Sequence, residues 1–365
     1  MRDIRISIAV IVTLLISLGI IMIYSASGIY ALQELGDKTY YLGRHILFLC
    51  IALLAALGTM AIDYRILKQA AKPLLIVAIV LLVLVLVPGI GRASFGARRW
   101  FKIGFFNFQP SEFAKLVILV YLADFLSRKQ NKIRNFWEGF FPLIMVLCVL
   151  CALIVKQPDL GNSFLIAIMI LIMMFVAGAR ILHLSCLALS GVPLLVFLVV
   201  SESYRLRRII AFIDPWKDAQ GVGFQLSQSQ IALGSGGIFG VGLGQSVQKL
   251  FYLPAAHTDF ILSIVGEELG LLGTLAVVIL FSALIWQGAR IVKRTTEPFG
   301  YFLAFGIVML IGLQAVINIG VSIGAFPTKG LPLPFVSYGG SALIFNMIAV
   351  ALLMNISRIE DLCGS

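Results

Sequence analysis

The sequence predicts an all-α polytopic membrane protein of about ten transmembrane helices, with a large extracytoplasmic loop between the seventh and eighth spans. Three observations carry this. Hydrophobic residues make up 60% of the 365-residue chain and charged residues only 12%, which leaves too little polar surface for a water-soluble globule. Nearly charge-free runs, near the roughly 20 residues that a hydrocarbon core of about 30 Å requires, recur from end to end. One long polar and glycine-rich stretch, 201–258, interrupts them.

The runs are 6–24, 46–62, 73–87, 113–126, 139–155, 163–179, 181–200, 260–287, 299–323 and 335–356. The first follows Arg2 and Arg5 and precedes Ser25-Ala26-Ser27-Gly28, a pattern reminiscent of a cleaved leader. Its apolar stretch is too long for one, so an uncleaved span is expected. The fourth run carries Lys115 and Asp124, which must face the bundle interior or lie near its ends.

An even number of spans places both termini on one side. Short loops rich in Lys and Arg stay cytoplasmic, and these are the segments with Arg65, Lys68 and Lys72, with Arg128, Lys129, Lys132 and Arg134, and with Arg290, Lys293 and Arg294. Both termini are therefore expected in the cytoplasm. Other basic residues cluster outside: Arg92, Arg98, Arg99 and Lys102 in one loop, Arg205, Arg207, Arg208, Lys217 and Lys249 in another, and Lys329 in a third. Contact with lipid headgroups and an anion site for a phosphate-bearing lipid or acidic substrate are both consistent with that clustering, as is the net charge of +11. No nucleic-acid partner is expected.

Cys148 and Cys151 form a C-x-x-C string inside an apolar run; with no metal partner nearby they read as packing residues. The run Gly234-Ser235-Gly236-Gly237 through Gly244 fits no nucleotide-binding register and follows no strand. Its glycines suit close backbone approach, either to helices or to an extended lipid-linked ligand.

After this loop come His257, Thr258 and Asp259, with the carboxylate at the outer mouth of the eighth span. A helix N-terminus would stabilise that carboxylate and lower its pKa. Service as a general base requires burial or a second carboxylate to raise it again. Glu267 and Glu268 cannot supply this within one helix, because Glu267 lies about 12 Å further along and Glu268 points to the opposite face; both are expected in structural pairs. Glu112 and Lys115, three apart on one face after Pro110, open the fourth span and could share a cavity with Asp259.

The strings YSAS at Tyr24, GARRW ending at Trp100, QPSE with Lys115, QPDLG from Gln157, DPW at Asp214, HTDF at His257, EELG at Glu267 and PFVSYGGS from Pro334, in that order over nearly the whole chain, resemble the SEDS family (shape, elongation, division and sporulation). GLGQSVQKLFYLP before HTDF and NIGVSIGAFPTKGLPLPF from Asn318 resemble its division (FtsW) type more than its elongation (RodA) type. The chain departs from that type at Ala255, where Glu is usual, and at Phe251, where an acid is common.

What the resemblance implies is a peptidoglycan glycosyltransferase polymerising lipid II at the outer face of the cytoplasmic membrane, at the division septum. Asp259 would be the base, with Glu112 and Lys115 in the catalytic set. Arg99, Trp100, Lys249, His257, Thr258, Lys329 and Ser337 would contact substrate. The implied partners are a class B penicillin-binding transpeptidase, other divisome membrane proteins and membrane lipid. No resident cofactor is expected; any ion would be a loosely held Mg²⁺ or Mn²⁺ shared with substrate oxygens. The rival readings are a lipid II flippase, motivated by intramembrane charges and Gly- and Pro-interrupted spans, and a division scaffold without activity of its own.

Overall fold

The computed structural model describes residues 1–363 apart from 95–96, 105, 218–220, 222, 251, 255 and 329; Phe251 and Ala255 thus lie outside the described residues. Its helices are α1 (Arg2–Leu35), α2 (Tyr40–Ala61), α3 (Ile66–Leu84), α4 (Pro110–Lys129), α5 (Phe141–Lys156), α6 (Leu160–Val176), α7 (Ile181–Val200), α8 (Ser203–Ile213), α9 (Phe224–Ser235), α10 (Ile261–Arg294), α11 (Pro298–Ser322) and α12 (Gly340–Cys363). Among the described residues, eight helices are long and apolar enough to cross a membrane: α1, α2, α3, α5 with its π-helical entrance, α7, α10, α11 and α12. The other two expected spans differ from these for identifiable reasons. α6 is apolar but only 17 residues long, and α4 carries Glu112, Lys115, Asp124, Arg128 and Lys129.

α4 tolerates those charges because it is the central helix. It packs against α3, α6, α11 and α12, and Glu112, Lys115 and Asp124 are all buried. Each has a partner, as charges removed from water require: Glu112 pairs with Lys115, and Asp124 with Arg128 one turn on. At the opposite extreme, no α7 residue is fully buried; Leu184 and Leu187 pack partly buried against the core and the His183 ring lies 5.1 Å from that of Phe140.

Several boundaries move. α2 starts at Tyr40, six residues before the apolar run, which places Tyr40, Tyr41 and Arg44 on its first turns. α12 starts at Gly340 rather than Phe335. The preceding Pro334–Gly339 segment is non-helical, with Phe335 in the left-handed region (φ 66°). It lies on α1 at Gly19, where a Cβ would come within 2.7 Å of the Phe335 carbonyl; only glycine admits that approach.

The all-helical expectation holds for the membrane-crossing part. The loop between α3 and α4 is instead a small antiparallel meander of β1 (Arg92–Ser94), β2 (Ala97–Ile103) and β3 (Phe106–Phe108) in the order β1-β2-β3. The stretch 201–258 holds α8 and α9. On the face opposite the meander the chain ends meet: the N-terminal amine lies 3.2 Å and Arg5 2.6 Å from Asp361.

The glycine-rich loop after α9 packs against a helix. α10 breaks at Gly270 (φ 66°), and the loop docks backbone to backbone there: the Val241 and Gly242 amides donate to the Glu267 and Glu268 carbonyls at 2.9 and 3.1 Å. A Cβ at Gly240 would stand 2.2 Å from the Glu268 carbonyl oxygen. Both acids are buried in pairs. Glu267 accepts from the Ser246 hydroxyl and from the Val247 amide at 2.9 Å. Glu268 accepts from Ser25 at 2.6 Å and pairs with Lys249 at 2.8 Å.

Candidate active site

Asp259 sits between the loop and α10. The N-cap position of α10 is Phe260, and no side chain caps its first turn, so Asp259 is not a capping carboxylate. Its place is fixed through the backbone: Asn318, buried in α11, donates from Nδ2 to the Asp259 carbonyl at 2.9 Å and to the Leu331 carbonyl at 2.8 Å. One amide therefore ties the segment of Asp259 to the segment that follows residue 329. Gly330 lies against the carboxylate itself; a Cβ added there would come to 3.1 Å from Oδ2.

Although Asp259 keeps partial access to solvent, protein surrounds its carboxyl, and that burial pushes it up to about 7. Arg208 on α8 pulls it down, Asp159 pushes it up further and Arg99 pulls it down, in that order of size. Desolvation outweighs the two cations, so the raising effect that a base needs is present. A carboxyl poised near neutrality is suited to take a proton from a sugar hydroxyl.

Arg99 and Asp159 reach this point from distant parts of the chain. On β2, Arg99 donates from Nε to the Gln157 carbonyl at 2.9 Å and from a terminal nitrogen to the Pro158 carbonyl. β2 is thereby clamped on the QPDLG turn. Asp159 caps α6, accepting from the Asn162 amide at 3.1 Å and from its Nδ2 at 2.8 Å. Asn162 Nδ2 also lies 3.4 Å from the Ser111 hydroxyl, which joins the first turns of α6 and α4. Beside Ser111, Glu112 and Lys115 form their own buried pair at 2.7 Å. Through Asn162 and Ser111 they border the site, while the charges acting on Asp259 are Arg208, Asp159 and Arg99.

The other expected residues are placed as follows. Trp100, half-buried, points to the face of β2 opposite Arg99. His257 stacks among aromatic rings, with centroids 4.7 Å from Tyr41, 5.8 Å from Tyr338 and 6.0 Å from Tyr30. Burial pushes its pKa down to about 4, so it is a neutral ring. Thr258 is half-buried between His257 and Asp259. Ser337 accepts from the Leu333 amide at 2.9 Å and closes its own turn. Lys249 is held by Glu268 and Ser25. Lys329 lies outside the described residues.

Asp159, Arg208 and Asn318 were missing from the expected site. Asp159 had a readable signal, an Asp before Leu-Gly-Asn at a helix start. Arg208 was visible only as one of several outer cations, and Asn318 only as a polar residue inside an apolar run.

Residues 5–362 match the family model described as "Cell cycle protein", FTSW_RODA_SPOVE. The chain belongs to this family. A family relative named "Probable peptidoglycan glycosyltransferase FtsW" from Trichlorobacter lovleyi is 47% identical over 95% of this chain and 91% of its own. "Stage V sporulation protein E" of Bacillus subtilis is 44% identical over 96% of each chain. Among solved structures, one described as "Structural coordination of polymerization and crosslinking by a peptidoglycan synthase complex" superposes with a TM-score of 0.79 at 28% identity, covering 97% of both chains. The rod shape determining protein RodA of Thermus thermophilus superposes with a TM-score of 0.72 at 28% identity, over 96% of this chain and 95% of that one.

Proposed function

We propose that this chain is the peptidoglycan glycosyltransferase of cell division, polymerising lipid II at the outer face of the cytoplasmic membrane, with both termini inside. The observation that carries the reading is a carboxylate at the entrance of α10 that burial raises toward neutrality, with Arg208 and Arg99 near enough to act on it. Asp259 accepts the proton of the GlcNAc 4-hydroxyl as that oxygen bonds to C1 of a MurNAc. The C1–O bond to the diphosphate breaks, and undecaprenyl pyrophosphate leaves with the electron pair. Arg99 and Arg208 offset the charge that grows on the leaving group. The buried Glu112–Lys115 pair keeps the start of α4, and with it the α6 turn carrying Asp159, in register.

Mg²⁺ or Mn²⁺ would be held chiefly by substrate phosphate oxygens. Among the described residues no three His, Cys, Asp or Glu side chains come together as a metal site, and Asp159 is engaged at the start of α6. The structural relative described as coordinating polymerisation with crosslinking supports a class B penicillin-binding transpeptidase as partner, in company with other divisome membrane proteins at the septum.

The test is polymerisation of labelled lipid II by purified wild type and by Asp259→Asn, each with its transpeptidase. Loss of a positioned base lowers the rate about 10²–10⁴-fold. Near-normal polymer from folded Asp259→Asn would remove Asp259 from the mechanism. Lipid II translocation in sealed vesicles, with no polymer from wild type, would instead favour the flippase.

A further inference from the structure

Away from Asp259, the outer face carries a second cationic feature. A cavity of about 470 Å³ is lined by Tyr40 and Arg44 of α2, Arg92 of β1, Lys102 of β2, Gly104, and Asn107 of β3. Among the described residues three cations and no carboxylate line it, and Arg99, Arg208 and Asp159 are not among those walls. Like charges converging on one void repel one another unless an anion offsets them.

The site is built from two elements. Arg44 donates to the Tyr40 hydroxyl at 2.7 Å, and its guanidinium lies 5.5 Å from the Tyr40 ring centroid and 5.9 Å from that of Phe48. Those contacts set the direction of its planar fork, which suits phosphate oxygens. Lys102 shares the Trp100 face of β2 by strand alternation, and Arg92 is the cross-strand partner of Trp100. The meander thus aims one cationic face at the first turns of α2 and the other, with Arg99, at the QPDLG turn.

Neighbouring residues connect the two places. Tyr41 packs on His257 at 4.7 Å and on Tyr40 at 5.3 Å, and His257 is two residues from Asp259. A wall of aromatic rings therefore runs from the segment of the base to the mouth of the cavity, and sugar faces pack on such rings. The proposed reaction uses two lipid pyrophosphates. The donor's is the leaving group and belongs beside Asp259, Arg99 and Arg208. The acceptor's is set back from its reacting 4-hydroxyl by a whole disaccharide, so it must be bound elsewhere.

We propose that the Arg44, Arg92 and Lys102 cavity is an anion site for the pyrophosphate of the acceptor lipid, with the Tyr40–Tyr41–His257 wall alongside the intervening sugars. This rests on the glycosyltransferase reading above.

The experiment uses the full chain with its transpeptidase partner in nanodiscs of zwitterionic lipid. The donor is a lipid II blocked at its GlcNAc 4-hydroxyl, so that it cannot act as acceptor. Two acceptors are compared: unblocked lipid II, and a phosphate-free disaccharide-peptide glycoside that has no leaving group. The variants are Arg92→Ala, Lys102→Ala and the double variant, all at exposed positions, with Asp259→Asn as the control for the chemistry. The expected result is an acceptor KM for lipid II raised about tenfold or more in the double variant, the size of a lost charge-assisted contact. KM for the phosphate-free acceptor and for the blocked donor stays unchanged.

Equal KM values for acceptor lipid II in wild type and double variant would overturn the proposal, as would an equal rise for the blocked donor. Restoring part of the lipid with phosphatidylglycerol separates the sources of phosphate. If the double variant loses only a response to that lipid, the cavity holds a phospholipid headgroup and the acceptor assignment is wrong. No coupling by wild type with either acceptor would sink the glycosyltransferase reading itself, a result distinct from unchanged KM values in an active enzyme.

Discussion

Asn318 Nδ2 donates to the backbone carbonyl of Asp259 at 2.9 Å, so the proposed base is positioned from α11 rather than from the helix it precedes. The same nitrogen reaches Leu331. Asn318→Ala removes both bonds, each worth about 0.5–1.5 kcal/mol net, and frees Asp259 to shift. Because a misplacement of about 1 Å can reduce rate about 10²-fold, kcat is expected to fall about 10–100-fold with KM little changed. A fall in KM-dependent binding alone, with kcat intact, would show that Asn318 does not position the base.

The pH profile follows from the carboxyl near 7. Asp259 must be ionised to accept a proton, so kcat/KM rises with pH along a limb centred near 7. Arg208 and Arg99 lower this pKa and Asp159 raises it. Arg208→Ala should therefore move the limb to higher pH, and Asp159→Asn to lower pH. The stability linkage has the opposite sense to that of a salt-bridged acid. A folded pKa above the ordinary value of 3.8 means that the contribution of Asp259 is fully present below about pH 4 and is lost as pH rises through 7. A limb that Arg208→Ala leaves in place would show that Arg208 exerts no field at the base.

Much of this was readable beforehand for a physical reason: hydropathy and local strings report what a residue's chain neighbours are. The apolar runs, the buried acids of α10, the tight glycine loop and Asp259 at a span mouth are all local features. The meander was not readable because its strands are short and lie among glycines and cations. Asp159, Arg208 and Asn318 join Asp259 only through tertiary packing, with Asn318 lying 59 residues away. Lys249 shows the converse. It reads as an outer cation available to substrate, yet Glu268, 19 residues on, holds it at 2.8 Å.

That buried pair gives a stability prediction. Glu268→Gln leaves the Lys249 ammonium without its counter-charge, at a cost of about 3–5 kcal/mol. Lys249→Met alone strands Glu268 similarly, although Ser25 still donates to it. The double variant removes both charges and should recover much of the loss in thermal stability measured in detergent. Additive losses from the two single changes would show that the residues do not act as a pair.

Gly330 offers the most local probe of the base. Its φ lies outside the left-handed region and its surface is exposed, so alanine there strains no backbone and disturbs no core. The added methyl, however, would come to 3.1 Å from Asp259 Oδ2, tighter than an ordinary van der Waals contact, and the carboxylate would have to rotate or shift to admit it. Gly330→Ala is therefore expected to leave melting temperature and expression within error of wild type while reducing kcat about tenfold or more, a small displacement acting on a reacting group. Gly339→Ala is the matched control, since its new Cβ meets only the Ala342 side chain at 3.5 Å and Pro332 at 4.0 Å. Equal activity of the two variants would mean that the space beside Oδ2 is not where the acceptor hydroxyl approaches.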